Sequence, residues 1–376
     1  MDGNDIWQVT AQRGFLMARD PVKRWAADTA TAEVLAVAGG LPDLVAERRV
    51  REAVSDLTVP DVAHLHLAAI EAERLHQAYA FLANAYLWQP EAEPARRLPH
   101  QIAVPFAAMA ERIGRPPILS YAGTQLANYR VLDEGRLLSD PENLAPIQCF
   151  QHSADEAWFW VIHCAIEAAG APAVIAGQAA CDAARVGDAA ALETALGVIG
   201  EGVEAVTALA RRISEGCSPD SFYRTLRPFM FSPPEGVVFE GVARFQGRPQ
   251  AFLGQTGAQS SLMPAICAAL GIRHGDTEMT QYLEAVRAYM PPPHRAFIAD
   301  LDGSAVRGAA SGHAALRDAY NACLEGVVAF RRVHLTLAAT YIAQHVDNPK
   351  GTGGTDFMHW LRKMTSETRA QMLPVA

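Results

Sequence analysis

The sequence predicts an all-α protein with at most a small β ribbon. Residues 62–88 and 313–344 are long apolar-rich segments, the first without glycine or proline and the second with only Gly326. Alternating apolar and polar runs of strand length are scarce. At about 1.5 Å per residue, the segment 313–344 predicts a helix roughly 45–50 Å long.

Taken in order, residues 155–169, 190–213, 262–271 and 277–290 predict further helices. The alanine-rich stretch 168–191 reads as plain helix, because alanine has the best helix propensity. One hairpin is suggested, between 236–242 ("GVVFEGV") and 248–254 ("RPQAFLG"). Ser260 or Ser261, at the end of "GQTGAQSS", is placed to cap the helix that follows. Turn-rich stretches at 87–105 and 139–148 punctuate the chain. The second predicts a boundary between a smaller N-terminal helical lobe, 1–148, and a larger C-terminal helical lobe, 149–376.

Of 376 residues, 50% are hydrophobic and 19% charged, a globular balance that excludes global disorder. A net charge of −9 argues against a nucleic-acid binder, which would show a basic face. A local basic pocket for an acidic ligand remains open. The six cysteines form no C-x-x-C pair and sit in apolar surroundings. They read as reduced, buried thiols of a cytoplasmic protein, not as structural zinc ligands. No basic region followed by an apolar run opens the chain, so no signal peptide is expected. No stretch of about 18 uncharged apolar residues stands out as membrane-spanning.

Two histidines have a pattern worth weighing. Phe330, His334, Leu337 and Tyr341 share one helix face by spacing, with Arg331 one turn before the histidine. A core histidine bonded to a backbone carbonyl is the ordinary reading. The same face also meets the needs of an axial haem ligand: a ring nitrogen for iron, apolar neighbours for the porphyrin and an arginine for a propionate. On a second helix, Phe159, His163 and Ile166 share a face. Core packing is again the ordinary reading, but two such helices would suit the two sides of a flat cofactor. No H-E-x-x-H is present, which disfavours catalytic zinc.

In "SFYRTLRPFMF", Phe222 and Tyr223 precede Arg227 by five and four positions. A buried arginine there needs an anionic partner, either in a salt bridge or as a bidentate clamp on a ligand carboxylate. No G-x-S-x-G elbow supports a serine hydrolase. In "KGTGGTDFMHWL" the lysine precedes the glycines, and a helix end and turn, not a strand, precede the lysine. A phosphate-binding loop fails on both counts.

The ordered segments "RGFL", "LPHQIAVPF", "PPILSYAGTQLANYR", "FYRTLRPF", "GVVFEGV", "GAQSS", "YMPPPHRAF", "LRDAYNAC", "RRVHL" and "KGTGGTDFM" resemble the indoleamine 2,3-dioxygenase family of haem enzymes, with a bacterial-type member expected. They run from about residue 13 to 370. The resemblance implies haem b in the larger lobe, with His334 as proximal iron ligand and Arg331 near a propionate. It implies Arg227 on the substrate carboxylate, Phe222 and Tyr223 as the aromatic pair before it, and Phe159 and Tyr121 along the indole pocket. Thr256 and Gly257 match a small-residue loop over the haem, and Thr352 a threonine that closes on the carboxylate.

Two positions and one segment depart from the family pattern. Tyr223 stands where phenylalanine is usual. His163 stands where vertebrate members have serine, and related tryptophan 2,3-dioxygenases place a distal histidine on the indole N–H. The segment between His334 and GTGGT is shorter than in vertebrate members. The implied reaction is oxidative cleavage of L-tryptophan or a related indoleamine by O2 to N-formylkynurenine, in tryptophan catabolism along the kynurenine pathway. His163, Arg227 and Thr352 carry it, and an electron donor keeps the iron ferrous. A monomer or small homo-oligomer is expected. Two alternatives stand beside it: monooxygenation or rearrangement of a tryptophan derivative, and a non-catalytic sensor of haem or tryptophan.

Overall fold

The computed structural model describes residues 5–22, 29–61, 65–346 and 357–374. Residues 347–356, with most of the glycine-dense motif and Thr352, lie outside them. The all-α expectation holds. The longer helices are α1 (Thr29–Gly39), α2 (Ala69–Leu87), α3 (His100–Ile113), α4 (Ala154–Ala169), α5 (Ala171–Val186), α6 (Ala189–Arg211), α7 (Leu262–Ala269), α8 (Glu278–Arg287), α9 (Pro292–Asp300), α10 (Gly303–Gly312), α11 (Ala314–Tyr341) and α12 (Phe357–Ala370).

Helix ends follow local chemistry more closely than composition. The run expected from residue 62 starts as α2 only at Ala69. Ala68 is extended (φ −66°, ψ 158°), and its N–H donates to the Glu71 carboxylate at 2.7 Å. α11 spans 28 residues, or roughly 42 Å. The alanine-rich stretch is not one plain helix. Gly170 separates α4 from α5, where a Cβ would lie 2.5 Å from the Leu262 side chain. Gly187 then takes a left-handed conformation (φ +75°), and the Asp188 side chain caps α6 by accepting from Ala191 N–H at 3.0 Å.

The expected hairpin is reduced to a single antiparallel bridge, Val237 with Gln250. Strand β4 (Val238–Phe239) instead pairs in parallel with β1 (Arg97–Leu98), and β2 (Arg130–Val131) pairs antiparallel with β3 (Leu144–Ala145). Strands of two residues are too short to show alternation.

One apolar core joins α1, α2 and α3 to Phe150, Trp160, Phe222, Phe229 and Tyr341, so it runs across residue 148. A second joins α5, α6, α7 and α11. Ala154–Val186 is long and apolar enough to cross a membrane by length and composition, but 72% of its apolar window is buried inside the protein. It is core. α4 and α11 each pack on α6, and α12 packs on α11.

Candidate functional site

His163 is oriented by its own helix. Its Nδ1 lies 2.7 Å from the Phe159 carbonyl oxygen, four residues earlier. A carbonyl can only accept, so the proton sits on Nδ1 and the Nε2 lone pair is left to accept a hydrogen bond. Burial pushes the imidazole down to about 4, and nearby His334 pushes in the same direction. The ring is therefore neutral at physiological pH.

His334, on α11, is thus close enough to His163 for their charges to interact. It presents more than a third of its surface to open space, yet burial, followed by Arg331, lowers its pKa. Its ring is crowded by protein although part of its surface stays open. Phe330 lies nearly parallel to it, 18° between planes at 6.2 Å.

An aromatic line connects the two helices. Phe159 meets His163 at 4.6 Å and Phe222 at 4.9 Å, and Phe222 meets Tyr341 of α11 at 5.7 Å. Tyr121 stands edge-on to His163 at 6.3 Å. Its hydroxyl donates to Glu167 Oε1 at 2.9 Å, which also accepts from Ser260 Oγ at 2.5 Å. Burial pushes the Glu167 carboxyl up to about 7. The Ser260 hydroxyl accepts from Leu262 N–H at 3.2 Å, so Ser260 caps α7, while Ser261 lies 3.3 Å from His294 Nδ1.

Arg227 sits where a π-helical turn (Phe222–Leu226) passes into a 3-10 turn (Arg227–Met230). Such irregular turns recur at functional sites. Its guanidinium carbon lies 4.5 Å from the Phe231 ring centre and 5.2 Å from that of Tyr223, and burial lowers its pKa.

Thr256 accepts from Ala258 N–H at 3.3 Å, and a Cβ on Gly257 would meet nothing within 4 Å. Among the described residues no atom explains why this position is glycine. Gln259 ties the loop to the Tyr121 wall by accepting from Tyr121 N–H at 2.9 Å. Arg331 turns the other way. It donates to Met364 O at 2.6 Å and to Thr368 Oγ1, and lies 3.0 Å from His274 Nε2. His274 in turn pairs with Glu367 at 2.7 Å.

The structure therefore brings Tyr121, Phe159, His163, Phe222, Tyr223, Arg227 and His334 into one linked set. The Thr256–Gly257 loop joins it through Gln259 and Ser260, and Arg331 faces α12. Sequence reasoning missed Glu167, Gln259, His274 and Glu367. Only Glu167 left a signal, its spacing of four from His163.

The residues fit a haem. His334 is an imidazole whose pKa burial lowers, leaving a lone pair available, and partly exposed Phe330 and Leu337 flank it on the same helix. Among the described residues no group of three or more His, Cys, Asp or Glu is arranged to hold a metal ion.

The family model for indoleamine 2,3-dioxygenase matches residues 4–371. Indoleamine 2,3-dioxygenase 1 of Rattus norvegicus is 32% identical over 366 residues, 90% of this chain and 88% of the relative. The 6-hydroxytryptophan 2,3-dioxygenase of Fusarium equiseti is 31% identical over 318 residues, 81% and 77%. Myoglobin of Haliotis madaka is 28% identical over 352 residues, 88% and 89%. These relatives are animal and fungal, so the likeness does not single out a bacterial type.

Proposed function

This chain belongs to the indoleamine 2,3-dioxygenase family of haem dioxygenases, and we propose that it cleaves the indole C2–C3 bond of L-tryptophan or a close relative. Both atoms of O2 enter the product, N-formylkynurenine. One observation carries the reading: a tautomer-fixed His163 at one end of an aromatic line, Phe159–Phe222–Tyr341, that reaches the helix of His334.

Haem b, held through His334, would supply the redox chemistry with O2. The chain's own residues position and enclose. Arg227 pairs with the substrate carboxylate, aided by Thr352 on the strength of the resemblance. Phe159 and Tyr121 flank the indole, and Phe222 and Tyr223 back the clamp. His163 Nε2 accepts the indole N–H. Thr256 and Gly257 leave room for the cofactor, and Arg331, bonded to α12, steadies the iron-ligand helix. Such positioning offsets on the order of 7–11 kcal/mol of barrier in favourable cases. No carboxylate pair is needed, since no strong base acts. An external electron donor, a cytoplasmic setting, and a monomer or small homo-oligomer belong to the same reading.

The test is turnover: load with haem, reduce, add L-tryptophan under air, and follow N-formylkynurenine absorbance and product mass. His334→Ala should not retain haem. Normal haem spectra in that variant would remove the ligand assignment. The fungal relative's name favours a second substrate, a hydroxylated tryptophan, and the molluscan relative's name favours haem and O2 binding without turnover. Product from tryptophan decides against the latter.

A further inference from the structure

Two consecutive residues of the clamp segment are held by the end of the iron-ligand helix. Phe222 meets Tyr341 edge to face at 5.7 Å. Tyr223 lies against His345 at 4.5 Å, with the ring planes 11° apart. Tyr341 is itself anchored, its hydroxyl donating to the Cys217 carbonyl at 2.5 Å. His345 ends the 3-10 turn Ala343–His345 that follows α11.

Tyr223 has a second partner, the Arg227 guanidinium at 5.2 Å. Arg227 stands at the junction of a π turn and a 3-10 turn. Neither turn carries the regular i to i−4 ladder, so side-chain packing has to help fix the guanidinium. Tyr223 is only partly buried, and His345 is the ring that covers it.

We infer that His345 is a positioning residue for substrate recognition: its imidazole fixes the plane of Tyr223, and Tyr223 fixes Arg227 for the carboxylate of an amino-acid substrate. The inference rests on the reading of Arg227 as a carboxylate clamp. The role needs a flat ring and no proton transfer, so another aromatic residue can fill it and a small aliphatic one cannot.

The experiment compares L-tryptophan with tryptamine, which lacks the carboxylate, by equilibrium binding and steady-state kinetics on the haem-loaded protein. His345→Ala should raise Kd and KM for L-tryptophan about three- to tenfold, the value of one aromatic pair. The kcat at saturation, and the binding of tryptamine, should stay within about twofold. His345→Phe should restore L-tryptophan binding. Equal effects on both ligands, no effect on either, or failure of His345→Phe to restore would overturn the inference. Arg227→Ala is the separating control. If it fails to discriminate the two ligands, the clamp reading falls. If it discriminates and His345→Ala does not, only the role of His345 falls. Should His345→Ala not fold, His345→Val also removes the flat ring and is read by the same criteria.

Discussion

The imidazole of His163 donates to the carbonyl of Phe159 at 2.7 Å, so a bond within one helix turn decides which nitrogen faces the substrate. The remaining nitrogen is a lone-pair acceptor suited to an indole N–H. His163→Ala should lower kcat/KM for L-tryptophan by about 1–2 kcal/mol, roughly five- to thirtyfold. With 1-methyltryptophan, which has no N–H, wild type and variant should differ little, and equal losses on both would argue against the bond. Because burial holds this imidazole near 4, it stays neutral as the pH falls from 8 to 5. A pH–rate profile should show no inflection that disappears in His163→Ala within that range.

Glu167 is a buried carboxyl that accepts from Tyr121 and Ser260 and is pushed up to about 7 by burial. The folded protein therefore keeps a proton that the unfolded chain releases near its ordinary carboxyl pKa. This group's contribution to stability is complete below that ordinary value and is lost as pH rises through 7. Glu167→Gln removes the titration. Urea midpoints of wild type should fall relative to Glu167→Gln between pH 4.5 and 7, and parallel curves would contradict the assignment.

Arg331 fastens α12 to α11 through Met364 O and Thr368. Arg331→Met keeps much of the side-chain bulk and removes these charge-assisted bonds. Amide exchange across Phe357–Ala370 should accelerate about ten- to hundredfold, in line with about 1.5–3 kcal/mol for bonds to a charged group. Unchanged exchange would show that apolar packing alone holds the helix.

Arg115 and Glu73 form an ion pair with both side chains 1% exposed, beside Trp7, whose indole N–H donates to Glu73 at 3.2 Å. Removing one buried partner leaves the other charge uncompensated. Glu73→Ala should cost about 3–5 kcal/mol in urea unfolding. The double change Glu73→Leu with Arg115→Met should recover most of that loss, since it leaves no lone charge behind.

Much of this was legible beforehand, and the failures have physical causes. α4 and α6 fall within a residue or two of their expected bounds because long periodic runs outweigh local detail. The start of α2 was misplaced because residues 65–68 have helix-compatible composition, and only the extended backbone at Ala68 stops them. The parallel pairing of Val238–Phe239 with Arg97–Leu98 joins segments about 140 residues apart, and no local pattern encodes it. His163 and His334 each stood out on an aromatic face, but a core histidine looks the same in sequence. Glu167 did not stand out, because a single glutamate on a helix is ordinarily a solvated one.

What the amino-acid order determined by itself was the set of helices, the faces they carry and the ordered motifs that mark the family. These depend on neighbours three or four residues away, and on residue identity alone. Only the tertiary structure decided which faces meet: His163 near His334, Tyr223 between Arg227 and His345, Arg331 against α12. Those partners come from distant parts of the chain, and their approach is set by how the apolar cores pack, a condition no local stretch of sequence contains.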